Sequence, residues 1–328
     1  MSSRQFSRRE ALAGIAAAAA LPLFTGCEQR TVTAASMDAD ALNVLDGIAD
    51  GFLALYPETA TSLGLDTGAK AALRSQLTDR SLDGQKRIAG QLRADLDRLN
   101  ALDTSKLSYS VRTSVDVVRS AYGTSLEGFA LPYGDVAVGN WRNTPYVVIQ
   151  NVGAYLDIPR FLDSDHQIEN ANDAEAYLTR LQSYAKQLGG ELGRVQAARG
   201  AGLVPPAFLI EKAVRQMSVS LKNAHEGGSL VESIARRTKD IPGDWAARAR
   251  KIAHQEVAPA LEAQIKELEA QQKIATNDAG MGARPHGEEY YRWALKASTT
   301  TTMSPDEVHE LGKSELERLH AQMDTILK

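Results

Sequence analysis

Cysteine is almost missing from this sequence. The single one, Cys27, excludes an intramolecular disulfide and a cysteine-built zinc cluster. A helical zinc site with two histidines one turn apart is missing too. His309-Glu310 begins the HExxH pattern but meets Lys313 at the fifth position, and His225-Glu226 runs into Gly227, Gly228 and Ser229. Glu317 and His320 form one ExxH pair, where a carboxylate-bridged metal centre needs two pairs and further glutamates; an exposed polar helix face is expected instead. There is no GxSxG elbow, no phosphate loop and no GxGxxG. Metal ligands and catalytic residues are therefore expected to be none in this chain. Basic excess is lacking as well: 37 Lys and Arg stand against 41 Asp and Glu, a net charge of -4 with no long basic block, which excludes nucleic acid as an expected partner. Beyond the N-terminus no apolar run nears the roughly 18 residues of a membrane span.

What the N-terminus does contain is an address. Arg4, Arg8 and Arg9 precede an alanine-rich apolar stretch over 11–24, and the run from Ser7 to Leu12 looks like a twin-arginine export signal. The Phe24-Thr25-Gly26-Cys27 end looks like a lipobox, with Phe24 where an aliphatic residue is usual. Acylation of Cys27 would anchor the chain to a membrane through about 0.8 kcal/mol per buried methylene. Cleavage after Ala35 is the alternative and gives a soluble periplasmic protein. Loss of residues 1–26 removes Arg4, Arg8, Arg9 and Glu10, a net +2, and takes the charge from -4 to -6. The expected division is a signal peptide over 1–27, a flexible polar tether over 28–37 and one helical domain over 38–328.

The body reads as helices, because apolar residues recur at spacings of three and four. Leu42, Leu45, Ile48, Phe52 and Leu55 form one stripe; Ile88, Leu92, Leu96 and Leu99 form another. In the long helix expected over 173–199, Asn172 caps, Glu175 completes the capping box and Tyr177, Leu181, Tyr184 and Leu188 face inward. A helix over 246–275 is expected to bend or restart at Pro259, which has no N–H to give. Ser304, Pro305 and Glu307 open the last helix as a capping box. Asp163, Asp165 and His166 read as a solvated capping turn. Fold class is thus all-α (mainly α), a multi-helix domain with one loop-rich insertion over 129–158, where glycines, prolines and aromatics break the periodicity and Tyr146 to Ile149 is the best strand candidate. Such long irregular segments tend to line clefts. Near the C-terminus, Tyr290 and Tyr291 point about 100° apart on one helix, so one is buried and the other can face a cleft beside His286 and Glu288.

Three stretches carry a family resemblance: Tyr56-Pro57 with Ala60 to Gly64, the block 153–181, and the block 285–312. Together they resemble the bacterial domain-of-unknown-function family 885, over nearly the whole mature chain. The resemblance implies a relative of the gluzincin metallopeptidases, largely helical and exported, with zinc held by an HExxH helix and a further glutamate. In the family those ligands lie beyond the helix that begins at Pro305, so it implies that this chain is the N-terminal half of such a fold, truncated at its C-terminal end and inactive alone. Two accounts fit: a truncated product, or a half that works with a separately encoded partner. The half present is expected to form one wall of a peptide-substrate cleft, with Trp141, Tyr146, His286, Glu288, Tyr290 and Tyr291 as lining candidates. The alternative function is a non-enzymatic helical lipoprotein that binds peptides or a partner at the cell envelope.

Overall fold

The structure is a computed structural model that describes residues 34–139 and 142–327. Arg8, Arg9, Cys27 and Trp141 lie outside the described residues, as do the signal peptide and the first part of the tether. The described chain is mainly helical. An N-terminal group comprises α1 (Ala34–Leu55), α2 (Pro57–Ser62), α3 (Leu82–Asn100) and α4 (Tyr109–Phe129). A second group comprises α5 (Ala154–Ser164), α6 (Ala171–Gly200), α7 (Ala207–Glu226), α8 (Ser229–Arg237), α9 (Trp245–Ile252) and α10 (Ala258–Gln272). α11 (Gly287–Thr299) returns to α4, and α12 (Pro305–Leu327) follows.

Local chemistry sets the ends. Ser81 accepts from the Gly84 amide at 3.0 Å and starts α3. Gly227, at φ 80°, ends α7 in the left-handed region that suits glycine. Ser304 and Glu307 make the expected box: Glu307 Oε2 accepts from the Ser304 amide at 2.7 Å, and Ser304 Oγ accepts from the Glu307 amide at 3.3 Å. A π-helical turn over Ala253–Val257 joins α9 to α10. It contains Gln255, the residue whose carbonyl the Pro259 ring would otherwise strike, so the widened turn absorbs the proline.

Three boundaries differ from the sequence reading. α1 begins at Ala34, so the last residues of the supposed tether are its first turn. Asn170, not Asn172, caps α6, accepting from the Asn172 and Asp173 amides at 2.9 and 3.2 Å. The run Tyr146 to Ile149 is no strand: among the described residues the only β pairings are isolated bridges, Asp135 with Thr144 and Ile149 with Val152.

α6 is the spine of the larger core. Tyr177, Leu178, Leu181, Tyr184 and Leu188 are buried in the core that α6 shares with α5, α9 and α10, each such side chain contributing about 1.5–3 kcal/mol of transfer free energy. Ile48, Ile88, Leu92, Leu99 and Val115 build a smaller core among α1, α3 and α4. His166 is fully buried rather than solvated. Its Nε2 sits 2.9 Å from the Asp173 carbonyl and its Nδ1 2.8 Å from Arg180 Nη1, so the ring donates to the first and accepts from the second. Burial lowers its pKa to about 4, with Arg180, Arg237 and Arg74 pushing the same way against the Asp173 carbonyl. A histidine kept neutral in this way stabilises the fold above its ordinary pKa of 6.5. As pH falls from there toward 4, the unfolded chain gains a proton that the native one refuses, and about 3 kcal/mol is lost. Urea unfolding at pH 7 and pH 4 is therefore expected to show a stability loss about 3 kcal/mol larger for the native sequence than for His166→Gln; equal losses would show that His166 is not held neutral.

Candidate functional site

The two helix groups meet along residues 130–153, and the charged side chains of α6 fix that segment in place. Glu191 is buried on α6. Both its oxygens accept from the Ala154 amide at 2.9 Å, which caps the start of α5 with a side chain 37 residues away. Arg80, from the turn before α3, donates to Glu191 Oε1 at 2.9 Å and to Asp157 Oδ2 at 3.3 Å, while its own amide donates to Gln187 Oε1 at 2.8 Å. Burial pushes the Glu191 carboxyl upward, and Arg80 and the Ala154 amide oppose it. Burial also works against the charge on Arg80, but Glu191, Asp157 and Glu58 outweigh it and hold the guanidinium protonated. One turn beyond Glu191, Arg194 Nη2 donates to the Gly134 carbonyl at 2.8 Å and to Asp135 Oδ1 at 2.7 Å. α6 thus grips the irregular segment twice.

The result is a polar cleft of about 420 Å³. Its walls include Tyr56, Glu58, Arg80, Asp135, Arg142, Asp157, Arg160 and Arg194. Glu58 accepts from the Thr78 amide at 3.0 Å and from its hydroxyl at 2.6 Å. Burial, with Asp135 adding to it, keeps the Tyr56 hydroxyl protonated. Two further hollows share the irregular segment: one of about 220 Å³ beside Tyr133, Gly134 and Arg194, and one of about 360 Å³ between α4 and α11, bounded by Trp293, Lys296 and Thr300 to Thr302. Groups of both signs thus face one groove. Among the described residues no group of three or more His, Cys, Asp or Glu is placed to hold a metal ion.

The residues singled out from sequence fall elsewhere. Tyr290 is buried, with its ring 5.7 Å from Tyr133 and 5.4 Å from Trp293, and Tyr146 is buried in the same aromatic group with Leu203. Tyr291 is half exposed. His286 is exposed, with Nδ1 3.3 Å from Glu289, and Glu288 pairs with Arg292 at 2.5 Å on the surface. None of His286, Glu288, Tyr290, Tyr291 and Tyr146 borders the three hollows; α11 supplies Trp293, Lys296 and Ala297 instead. Sequence reasoning missed Arg80, Asp157, Glu191 and Arg194. One trace of them was readable. Glu191 continues the 177, 181, 184, 188 series of α6 and so puts a charge in an apolar register.

With the site described, known proteins can be set beside it. The family described as "Bacterial protein of unknown function (DUF885)" matches residues 57–328. The chain belongs to that family. No curated protein gives a significant match. A solved structure from Colwellia psychrerythraea, described as a "putative lipoprotein", is similar in fold, with a TM-score of 0.75 at 20% identity. The alignment covers 90% of this chain and 51% of that one, so the chain spans about half the length of the Colwellia structure.

The aromatic group gives a direct check on the role of α11. Tyr290 Oη is buried without a hydrogen-bond partner among the described residues. Removing it relieves a desolvation penalty of about 1–3 kcal/mol rather than breaking a bond. Tyr290→Phe is expected to leave stability in urea unchanged or raise it. A loss above about 1 kcal/mol would reveal a polar role for the hydroxyl.

Proposed function

We propose that this chain is the substrate-gripping part of an exported, lipid-anchored envelope protein related to zinc metallopeptidases, and that it cleaves nothing by itself. The hydrolytic metal would be held by a further helical segment that docks on α12. One observation carries the reading: α12 has no buried residue along its 23 positions. Leu311, Leu316, Leu319, Met323 and Ile326 are all exposed, on one stripe at spacings of three to five, while Glu310 with Lys313 and Glu315 with Arg318 pair on the surface. A six-turn helix holds poorly in water on its own propensity and needs an apolar partner. The alignment covers 51% of the Colwellia structure, and the remainder, which has no counterpart here, supports a further segment as that partner. No helix among the described residues is long and apolar enough to cross a membrane; the proposed anchor is a lipid on Cys27, on the strength of its lipobox-like setting.

The mature chain is expected to self-associate through α12 in light scattering, for want of the segment that should cover it. Leu316→Glu with Leu319→Glu should give a monomer with an unchanged melting temperature. A native chain that is monomeric at all concentrations would contradict the uncovered-face reading. With added zinc the chain is expected to leave peptides intact, and chelator-sensitive cleavage would overturn the division of labour. Cys27→Ser should move the protein from the membrane fraction to the soluble one, and a variant that stayed with the membrane would remove the lipid anchor.

A further inference from the structure

The outer rim of the polar cleft has hydrogen-bond donors to spare, while most of its acids are already engaged. Glu191 and Glu58 each accept from donors already named: Arg80 and the Ala154 amide for Glu191, the amide and hydroxyl of Thr78 for Glu58. Asp135 is taken by Arg194, and Asp157 Oδ2 by Arg80. The two outer arginines are not spent in this way. Arg142 Nη1 and Arg160 Nη2 each lie 3.7 Å from the same atom, Asp157 Oδ1, beyond hydrogen-bond reach. Arg142 also donates to the Asn151 carbonyl, which fixes its direction. Both guanidiniums are accessible, 42% and 70% exposed. Their tips are thus no farther apart than twice 3.7 Å, within the span that one carboxylate bridges when each oxygen accepts a charge-assisted bond of about 2.8 Å.

We propose that Arg142 and Arg160 recognise the C-terminal carboxylate of a short peptide in this cleft, with Asp157 drawing the two guanidiniums toward one place. The choice of a peptide rests on the reading above; the carboxylate rests on the arginines alone. A cleft of about 420 Å³ has room for a few residues. Specificity then comes from the free chain end, which a longer passing chain cannot present.

Calorimetric titration of the mature chain tests this with trialanine, trialanine amide, an amidated tripeptide carrying an internal glutamate, and inorganic phosphate. Trialanine is expected to bind at least about tenfold tighter than its amide. Arg142→Ala and Arg160→Ala should each abolish that preference, and Arg160→Lys should keep part of it. Melting temperatures should not move, because both side chains are on the rim. Equal binding of acid and amide, or a preference that survives both alanine variants, would overturn the proposal. Binding of the internal glutamate peptide as tight as trialanine would overturn the chain-end assignment, and phosphate competing equally at the same arginines would overturn the peptide. Zinc-dependent cleavage by this chain would sink the earlier proposal and leave this one standing.

Discussion

A single buried carboxylate holds the cleft together. Glu191 lies inside the protein on α6, yet it takes the first amide of α5 and the guanidinium of Arg80, so three distant stretches of chain meet at two oxygens. Burying an ion is costly, and an unpaired one in this place would cost several kcal/mol. The arrangement is tolerable because each charge has partners within bonding distance. Specificity follows from the same requirement. Any other register of α5 against α6 would strand Glu191 without its amide and Arg80 without its acid. Arg194, one turn on, repeats the device with Gly134 and Asp135.

Those two ties explain how a segment with almost no regular hydrogen bonding of its own is kept in one shape. Aromatic packing seals its far side. Tyr133, Tyr146, Tyr290 and Trp293 gather there, and Trp293 lies so close to Gly128 on α4 that a Cβ at that position would sit 2.1 Å from the indole. The Trp293 indole N–H then donates to the Thr124 carbonyl at 2.8 Å and fixes α11 to α4. The segment is clamped by ions on one side and rings on the other, and the groove between is left polar and open. Beyond α11 the closure stops, and α12 presents its apolar stripe to water. An open, ligand-sized cleft together with an uncovered helix is what the proposed division between gripping and cutting requires.

Much of this fold could be read from the sequence, and the reasons it could are physical. The stripes of α3 and α6 show because their neighbours along the chain are one helical turn apart, and the Ser304–Glu307 box shows because it spans three residues. The unequal fates of Tyr290 and Tyr291 also follow from helix geometry alone. What stayed hidden depends on contacts remote in sequence. His166 is buried because Arg180, Asp173 and Arg237 converge on it, and nothing local marks it as different from an exposed turn histidine. The cleft arginines come from four separate elements, so no spacing betrays them. The choice of Asn170 over Asn172 as cap is decided by the chain's entry into α6, where the Glu169 amide donates to Asp173 at 3.0 Å.

The account stands or falls on the coupling between Arg80 and Glu191. A double-mutant cycle with Arg80→Met, Glu191→Gln and the pair, each unfolded in urea at pH 7, measures it. A coupling of about 2–3 kcal/mol is expected for a buried pair that ties α6 to α5 and to the turn before α3. A coupling below about 0.5 kcal/mol would mean that the two residues act independently, and that the cleft is held by something else.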